Sequence, residues 1–311
     1  MRAEKKKWGL VYCPKTGALR PHKFWKKIEQ CLKDNDIEYD HVQSESRDSV
    51  ERLVKMFVNN GYTNIVIVGG DTALNDAVNC MMQIDNEQRE NIRLGVIPNG
   101  TMNDFSRFWN ISEDDYATTI ASLKKERTRK IDLGCVRYKN SNDEACHRYF
   151  LNCMNIGLVA RTMDLRRKTR HYMFGSRTLS FVLSLILLIF QRMDYAMHLK
   201  INTETIKRKV MTICIGNARG YGQTPSAVPY NGMLDVSVVY QPAILQLFDG
   251  IIMFIRGRLL NHRSVHPYRT SKVTIEDIHQ APVSIDGQMI KTPKGAFTVT
   301  VEPEVINFLI P

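Results

Sequence analysis

The sequence predicts an N-terminal α/β domain on a parallel sheet, followed by a C-terminal antiparallel β-sandwich domain. Three observations predict it. Over residues 8–130, short apolar runs alternate with segments whose apolar residues recur at helical spacing. Beyond the basic stretch Lys124–Lys130 the chain turns to short β-rich runs. These are separated by turn pairs such as Asn231-Gly232, Asp286-Gly287 and Lys294-Gly295. Finally, two apolar runs of the first half break at glycine or proline and pass directly into a helix-like segment. The expected domains are 1–130 and 131–311, with residues 302–311 packing back on the first.

Trp8–Tyr12 is an apolar strand that ends at Pro14 and Gly17, and Phe24, Ile28 and Leu32 then share one helical face. A strand at Ile37–Val42 precedes a second amphipathic face of Val50, Leu53, Val54, Phe57 and Val58, stopped by Asn60-Gly61. Strand 65–68, helix 72–83, strand 94–97 and a helix over 115–125 complete the run. Alternation of this length makes a parallel sheet with helices on both faces. The second half gives strands at 131–138, 148–155, 195–201, 210–215, 234–240, 273–278, 281–285 and 296–301. Apolar helices are expected at 176–192 and 243–260.

The two glycine breaks are the most chemically specific features. The first is Gly69-Gly70-Asp71-Thr72-Ala73-Leu74-Asn75, after the run Ile65–Val68. The second is Pro98-Asn99-Gly100-Thr101-Met102-Asn103-Asp104, after Leu94–Ile97. A strand, a glycine turn and a fresh helix N-terminus place main-chain N–H groups where a phosphate can sit. Gly69 and Gly70 allow close approach because no Cβ intervenes, and Asp71 is a competent N-cap for the helix that follows. Ligands on parallel sheets bind at the carboxyl ends of the strands, where both breaks fall.

Formal charge is +11 and pI about 9.3. That balance implies a polyanionic partner, either nucleic acid, an anionic membrane or a phosphorylated substrate, or else a merely solvated basic surface. The basic residues lack the interleaved aromatics of a base-stacking platform, which weighs against nucleic acid. Seven scattered cysteines with no Cys-x-x-Cys pair argue against a disulfide framework or structural zinc, and for the cytoplasm. The longest apolar run, Leu179–Phe190, has 12 residues including two serines, short of the ~20 that a spanning helix needs. Basic clusters adjoin two apolar stretches: Arg166, Arg167, Lys168 and Arg170 before that run, and Arg256, Arg258 and Arg263 after Ile251–Ile255. Such pairs suit contact with anionic lipid, though core burial of the same helices remains open.

Several ordered motifs accompany these features. They are Cys13-Pro14-Lys15-Thr16-Gly17, the two glycine loops continued to Asp76 and Arg107, Gly216-Asn217 through Gly222, Pro229 through Val236, and Ile285-Asp286-Gly287-Gln288. With them the chain resembles, over nearly its full length, the diacylglycerol kinase catalytic-domain family, which includes bacterial lipid kinases, sphingosine kinases and ceramide kinases. The resemblance implies a nucleotide-binding domain of the NAD kinase and phosphofructokinase type, a lipid-binding β-sandwich, ATP and Mg2+. It implies nucleotide contacts from Pro14, Thr16, Gly17, Ser44, Gly69, Gly70, Asp71, Thr72, Asn75, Gly100, Thr101 and Asn103. It implies magnesium at Asn231, Met233 and Asp235, lipid at Asp104, and catalytic carboxylates at Asp71 and Asp286.

Four positions depart from the family pattern. Thr72 stands for a glycine and Ala73 for a threonine, Asn231 for an aspartate near magnesium, and Gln288 for a proton-accepting glutamate. An amide cannot take that proton, so Asp71 or Asp286 would have to serve. The expected activity is transfer of the γ-phosphoryl group of ATP to a lipid hydroxyl, on a diacylglycerol or a sphingoid or ceramide-type substrate. Expected partners are the lipid and an anionic membrane surface, without nucleic acid, with a homodimer left open. The alternatives are an ATP-binding pseudokinase or lipid-binding protein, and a small-molecule kinase of the NAD kinase type.

Overall fold

Five-residue apolar runs with no polar alternation are stable only as strands covered on both faces, and this is where the first half of the chain begins. The computed structural model describes residues 7–14, 21–46, 49–100, 103–140, 142–169, 195–219, 223–241, 246, 249–250, 252–253 and 258–311. Strand β1 (Trp8–Tyr12) is buried throughout. It pairs in parallel with β2 (Tyr39–Gln43) and β3 (Asn64–Gly69), and β3 pairs in parallel with β4 (Arg93–Pro98). Helices α1 (Pro21–Asp34), α2 (Ser49–Asn59), α3 (Asp71–Met81), α4 (Asn86–Glu90), α5 (Asp104–Phe108) and α6 (Tyr116–Leu123) connect them.

Helix α2 buries Val50, Leu53, Val54, Phe57 and Val58, one face at helical spacing. It ends where Gly61 takes φ +78°, a conformation that a side chain would oppose. Gly9 on β1 is needed for that packing, because a Cβ there would stand 2.7 Å from the Phe57 ring. Leu10, Ile28, Leu32, Val66, Val68, Ile97, Ile120, Leu123 and Leu309 form the core below the sheet.

The second half begins with β5 (Thr128–Lys139), β6 (Ala145–Phe150), β7 (Cys153–Gly157) and α7 (Leu158–Thr169). It continues with β8 (Tyr195–Ile201), β9 (Glu204–Gly216), β10 (Leu234–Tyr240), β11 (Val265–Thr270), β12 (Lys272–Asp277), β13 (Val283–Ile285), β14 (Gln288–Ile290) and β15 (Lys294–Leu309). Hydrogen bonding runs β14-β13-β7-β9-β8-β12-β15, with β10 on β9, β11 on β10, and β5 pairing both β15 and β6. The pairings among β5 to β14 are antiparallel. Phe150, Met154, Ile156, Leu199, Ile213, Val238, Val273, Ile275 and Val299 lead its core.

The chain divides into two units, Met1–Asp132 with Pro303–Pro311, and Leu133–Glu302. Strand β15 belongs to both. In the first unit Asn307 and Phe308 pair in parallel with Arg93 and Leu94 of β4, adding a fifth strand from the far end of the sequence.

Three local expectations change. The strand predicted at 148–155 is broken between Phe150 and Cys153, because the Leu151, Asn152 and Cys153 N–H groups turn to a side chain described below. Helix α7 follows at once, where no helix was expected. Strands β11 and β14 were not anticipated either. The predicted helix 176–192 lies outside the described residues, as does most of 243–260. No described helix is long and apolar enough to cross a membrane.

Candidate active site

In the first unit the parallel register sets the carboxyl ends of four strands level. Tyr12 aligns with Gln43 and Val68, and Gly69 aligns with Pro98. The next N–H groups extend this alignment: Cys13 donates to Val68 O, Ser44 to Tyr12 O and Asn99 to Gly69 O, at 2.8, 2.8 and 2.9 Å. Pro14, Ser44, Gly69, Gly70 and Gly100 are therefore gathered by the sheet itself. Thr16, Gly17 and Thr101 lie outside the described residues.

The two glycine loops touch. A Cβ added at Gly100 would overlap Gly70 Cα and stand 2.8 Å from Gly70 N. Asn103, fully buried, clamps this turn from both ends: its Oδ1 accepts the Gly100 N–H at 3.1 Å and its Nδ2 donates to Gly100 O at 3.3 Å. Gly69 is tight as well, since a Cβ there would stand 3.2 Å from Cys13 Cβ.

Asp71 is not the N-cap of its own helix. Gly70 occupies that position, with no side-chain cap. The first intrahelical bond is Leu74 N–H to Gly70 O, so the helix offers no acceptor to the N–H groups of Thr72 and Ala73. The Asp71 carboxylate instead crosses to the second loop. It accepts the main-chain N–H of Asp104 at 2.8 Å and of Phe105 at 3.3 Å. The helix N-terminus at Asp104 is thus filled by a carboxylate from the same protein, whereas the α3 start has N–H groups that its own helix does not use. Thr72 and Ala73 stand half-exposed on that first turn.

Other predicted side chains have local duties. Ser44 Oγ donates to Ser46 O at 2.5 Å and shares a hydrogen bond with Ser49 Oγ, so it braces the entry to α2. Asn75 Oδ1 accepts from Asn79 Nδ2 at 3.2 Å. Asp104 pairs with Arg107 at 3.0 Å, and Arg107 also holds Glu113. Burial pushes the Cys13 thiol up to about 12, with Asp76 adding to the effect, so it stays protonated.

In the second unit, Asp286 sits in the two-residue turn between β13 and β14. Both Asp286 and Gly287 have positive φ, at 43° and 78°, as that tight hairpin requires. Its carboxylate is 1% exposed and accepts three consecutive N–H groups, from Leu151 at 2.7 Å, Asn152 at 3.0 Å and Cys153 at 2.9 Å. Burial raises its pKa to about 6 against the opposing pull of those donors and of Arg148. Gln288, two residues on, has its Oε1 held by Arg148 at 2.9 Å.

A diacylglycerol kinase catalytic domain model matches residues 7–136, and a YegS C-terminal NAD kinase beta sandwich-like domain model matches residues 155–310. The chain belongs to the diacylglycerol kinase-like lipid kinase family. A probable lipid kinase YegS-like protein of Shewanella frigidimarina is 24% identical over 277 residues, covering 87% of this chain and 83% of its own. A diacylglycerol kinase of Bacillus subtilis is 23% identical over 229 residues, covering 72% and 70%. Among solved structures, a diacylglycerol kinase from Bacillus anthracis superposes with TM-score 0.71 at 17% identity, covering 98% of this chain and 97% of that one. Yeast NADH kinase superposes with TM-score 0.53 at 10% identity, covering 98% and 84%. These likenesses bear out the expected family and the fold of an α/β domain followed by a β-sandwich.

For a lipid kinase of this family, the α3 start fits a nucleotide phosphate: a helix N-terminus whose Thr72 and Ala73 N–H groups the helix does not use, beside two glycine loops in main-chain contact. The expected magnesium site fits less well. Asn231 spends its Oδ1 on the Met233 N–H at 3.0 Å, and Arg269 holds both Asp235 oxygens, at 2.7 and 3.2 Å. Asp235 is already neutralised by a guanidinium. Among the described residues no group of three His, Cys, Asp or Glu side chains could hold a metal ion. Arg148 and Arg269 carry no local motif, and their partners lie 140 and 34 residues away, so periodicity could not have found them.

Proposed function

We propose that this chain is an ATP-dependent lipid kinase that phosphorylates a lipid hydroxyl. The observation that carries the reading is the contact between Gly70 and Gly100, pinned by Asn103 and by the Asp71 carboxylate at the start of α3. Phosphoryl transfer asks a protein mainly to position groups and neutralise charge, and this contact sets the first main-chain N–H groups of α3 beside the second glycine loop. The acceptor hydroxyl attacks the γ-phosphorus, the bond to the bridging oxygen breaks, and ADP leaves. Magnesium enters with ATP as part of the substrate.

The hydroxyl proton goes to Asp286. Gln288 cannot accept it, and an acid near pH 6 is close to what a general base at neutral pH needs. Asp71 shapes the loops through the Asp104 and Phe105 N–H groups that it accepts. The acceptor is a lipid with a hydroxyl beside acyl chains, of the diacylglycerol or sphingoid and ceramide type, met at an anionic membrane surface on the cytoplasmic side.

The test is transfer of label from γ-labelled ATP into chloroform-extractable product from a total lipid extract, with wild type, Gly100→Ala and Asp286→Ala side by side. The reading requires label with wild type and its loss in both variants. A second reading, an ATP-binding protein without turnover, is favoured by Arg148 holding the Gln288 carbonyl. It predicts ATP binding by wild type with no labelled lipid.

A further inference from the structure

Strands β8 and β9 form a hairpin closed by Asn202 at φ +53°. Alternation sends Leu199, Ile201 and Ile206 into the core. The opposite face is exposed and basic. It carries Lys200 and Lys207, which the register sets opposite Thr205 and His198. β12 extends the face, with Thr274 opposite Lys200 and with Lys272 exposed. β15 extends it again, with Thr298 opposite Thr274 and Thr300 opposite Lys272, and Arg137 bonds to Thr300 at 2.6 Å.

The carboxylates described on and beside this face are already engaged. Glu276 holds His198 at 2.8 Å, Glu302 holds Arg137 at 2.7 Å, and Asp277 at the margin holds His279 at 2.6 Å. Beside the His198–Glu276 pair, the residues between the cations are threonines, short enough for a flat surface to reach the ammonium groups. Like charges gathered on one sheet face repel and cost stability, so a polyanion is their natural complement. A sheet face with no Tyr, Trp or Phe among these outward positions offers nothing for bases to stack on. A planar anionic surface matches it better.

We propose that the outer face of β8, β9 and β12 docks the protein on an anionic phospholipid bilayer. This rests on the lipid-kinase reading for its purpose, not for its geometry. Each cation near such a surface contributes about fivefold in partitioning. Replacing Lys200, Lys207 and Lys272 by Gln should therefore lower binding on the order of 100-fold.

Sedimentation with phosphatidylcholine vesicles, with and without phosphatidylglycerol, measures it. Wild type should bind only the anionic vesicles, and more weakly as salt rises. The triple variant should lose that binding. A control with Lys26, Lys27 and Lys55 replaced by Gln, exposed lysines of the other unit, should keep it. Equal loss in both variants, or binding retained by the triple variant, overturns the proposal. So does RNA captured through these lysines by a protein that ignores anionic vesicles. If the triple variant does not fold, Lys207→Gln alone, with about fivefold loss, decides the matter. Phosphorylation of a detergent-dispersed lipid should be unchanged in the triple variant. Silence of wild type in that assay sinks the kinase reading and leaves the docking result standing.

Discussion

The Asp71 carboxylate closes the N-terminus of the helix beginning at Asp104, accepting that residue's N–H at 2.8 Å. One side chain at the start of α3 therefore holds the second glycine loop in place, across 33 residues of sequence. A charged acceptor at a helix start is favoured twice, by hydrogen bonding and by the helix dipole.

Replacing Asp71 by Ala should leave the Asp104 and Phe105 N–H groups without their acceptor. The expected cost is about 2–3 kcal/mol of unfolding free energy, since bonds to charged groups contribute more than neutral ones. Urea denaturation measures it. ATP affinity should fall with it, because the loop at Gly100 loses its anchor. A variant with wild-type stability would remove Asp71 from this role.

Gly100→Ala separates binding from folding. The added methyl must displace the Gly70 main chain, which belongs to the α3 start and not to the core. Calorimetric titration should show ATP affinity reduced by at least about tenfold, equivalent to roughly 1.4 kcal/mol, while the melting transition moves little. Unchanged affinity would show that the nucleotide binds elsewhere.

Asp286 ties activity and stability to pH in opposite senses. Its folded pKa of about 6 lies above the ordinary 3.8. Between these values the folded state holds more protons than the unfolded one, so stability from this group is complete below pH 3.8 and is lost as pH rises through 6. The loss amounts to roughly 3 kcal/mol at neutral pH. As proton acceptor the carboxylate must be ionised, so kcat/KM should drop about tenfold per pH unit below 6. A flat acid limb would exclude Asp286 as the base.

Arg269 answers Asp235 without a metal. Thermal melts of the nucleotide-free protein should therefore be the same in magnesium and in EDTA. Asp235→Ala should cost no more than about 1 kcal/mol, because the arginine is half-exposed and screened by solvent. A melting temperature raised by magnesium would mean that Asp235 releases Arg269 for the ion.

The periodicities of β1, α2, β3 and β4, and the Asp286-Gly287 hairpin, follow from the local chain. They depend on which residues can share a face or adopt positive φ, and those properties belong to residues in order. Membership of the lipid kinase family was legible too, because its motifs are short and contiguous. Tertiary structure decided everything that joins distant segments. It took Asp71 from its own helix to Asp104, set Arg148 on Gln288 and Arg269 on Asp235, and brought Asn307 beside Arg93. It also broke the expected strand at Leu151–Asn152 to satisfy Asp286. A buried carboxylate takes whichever donors the packed chain brings within reach, and spacing along the sequence does not say which those will be.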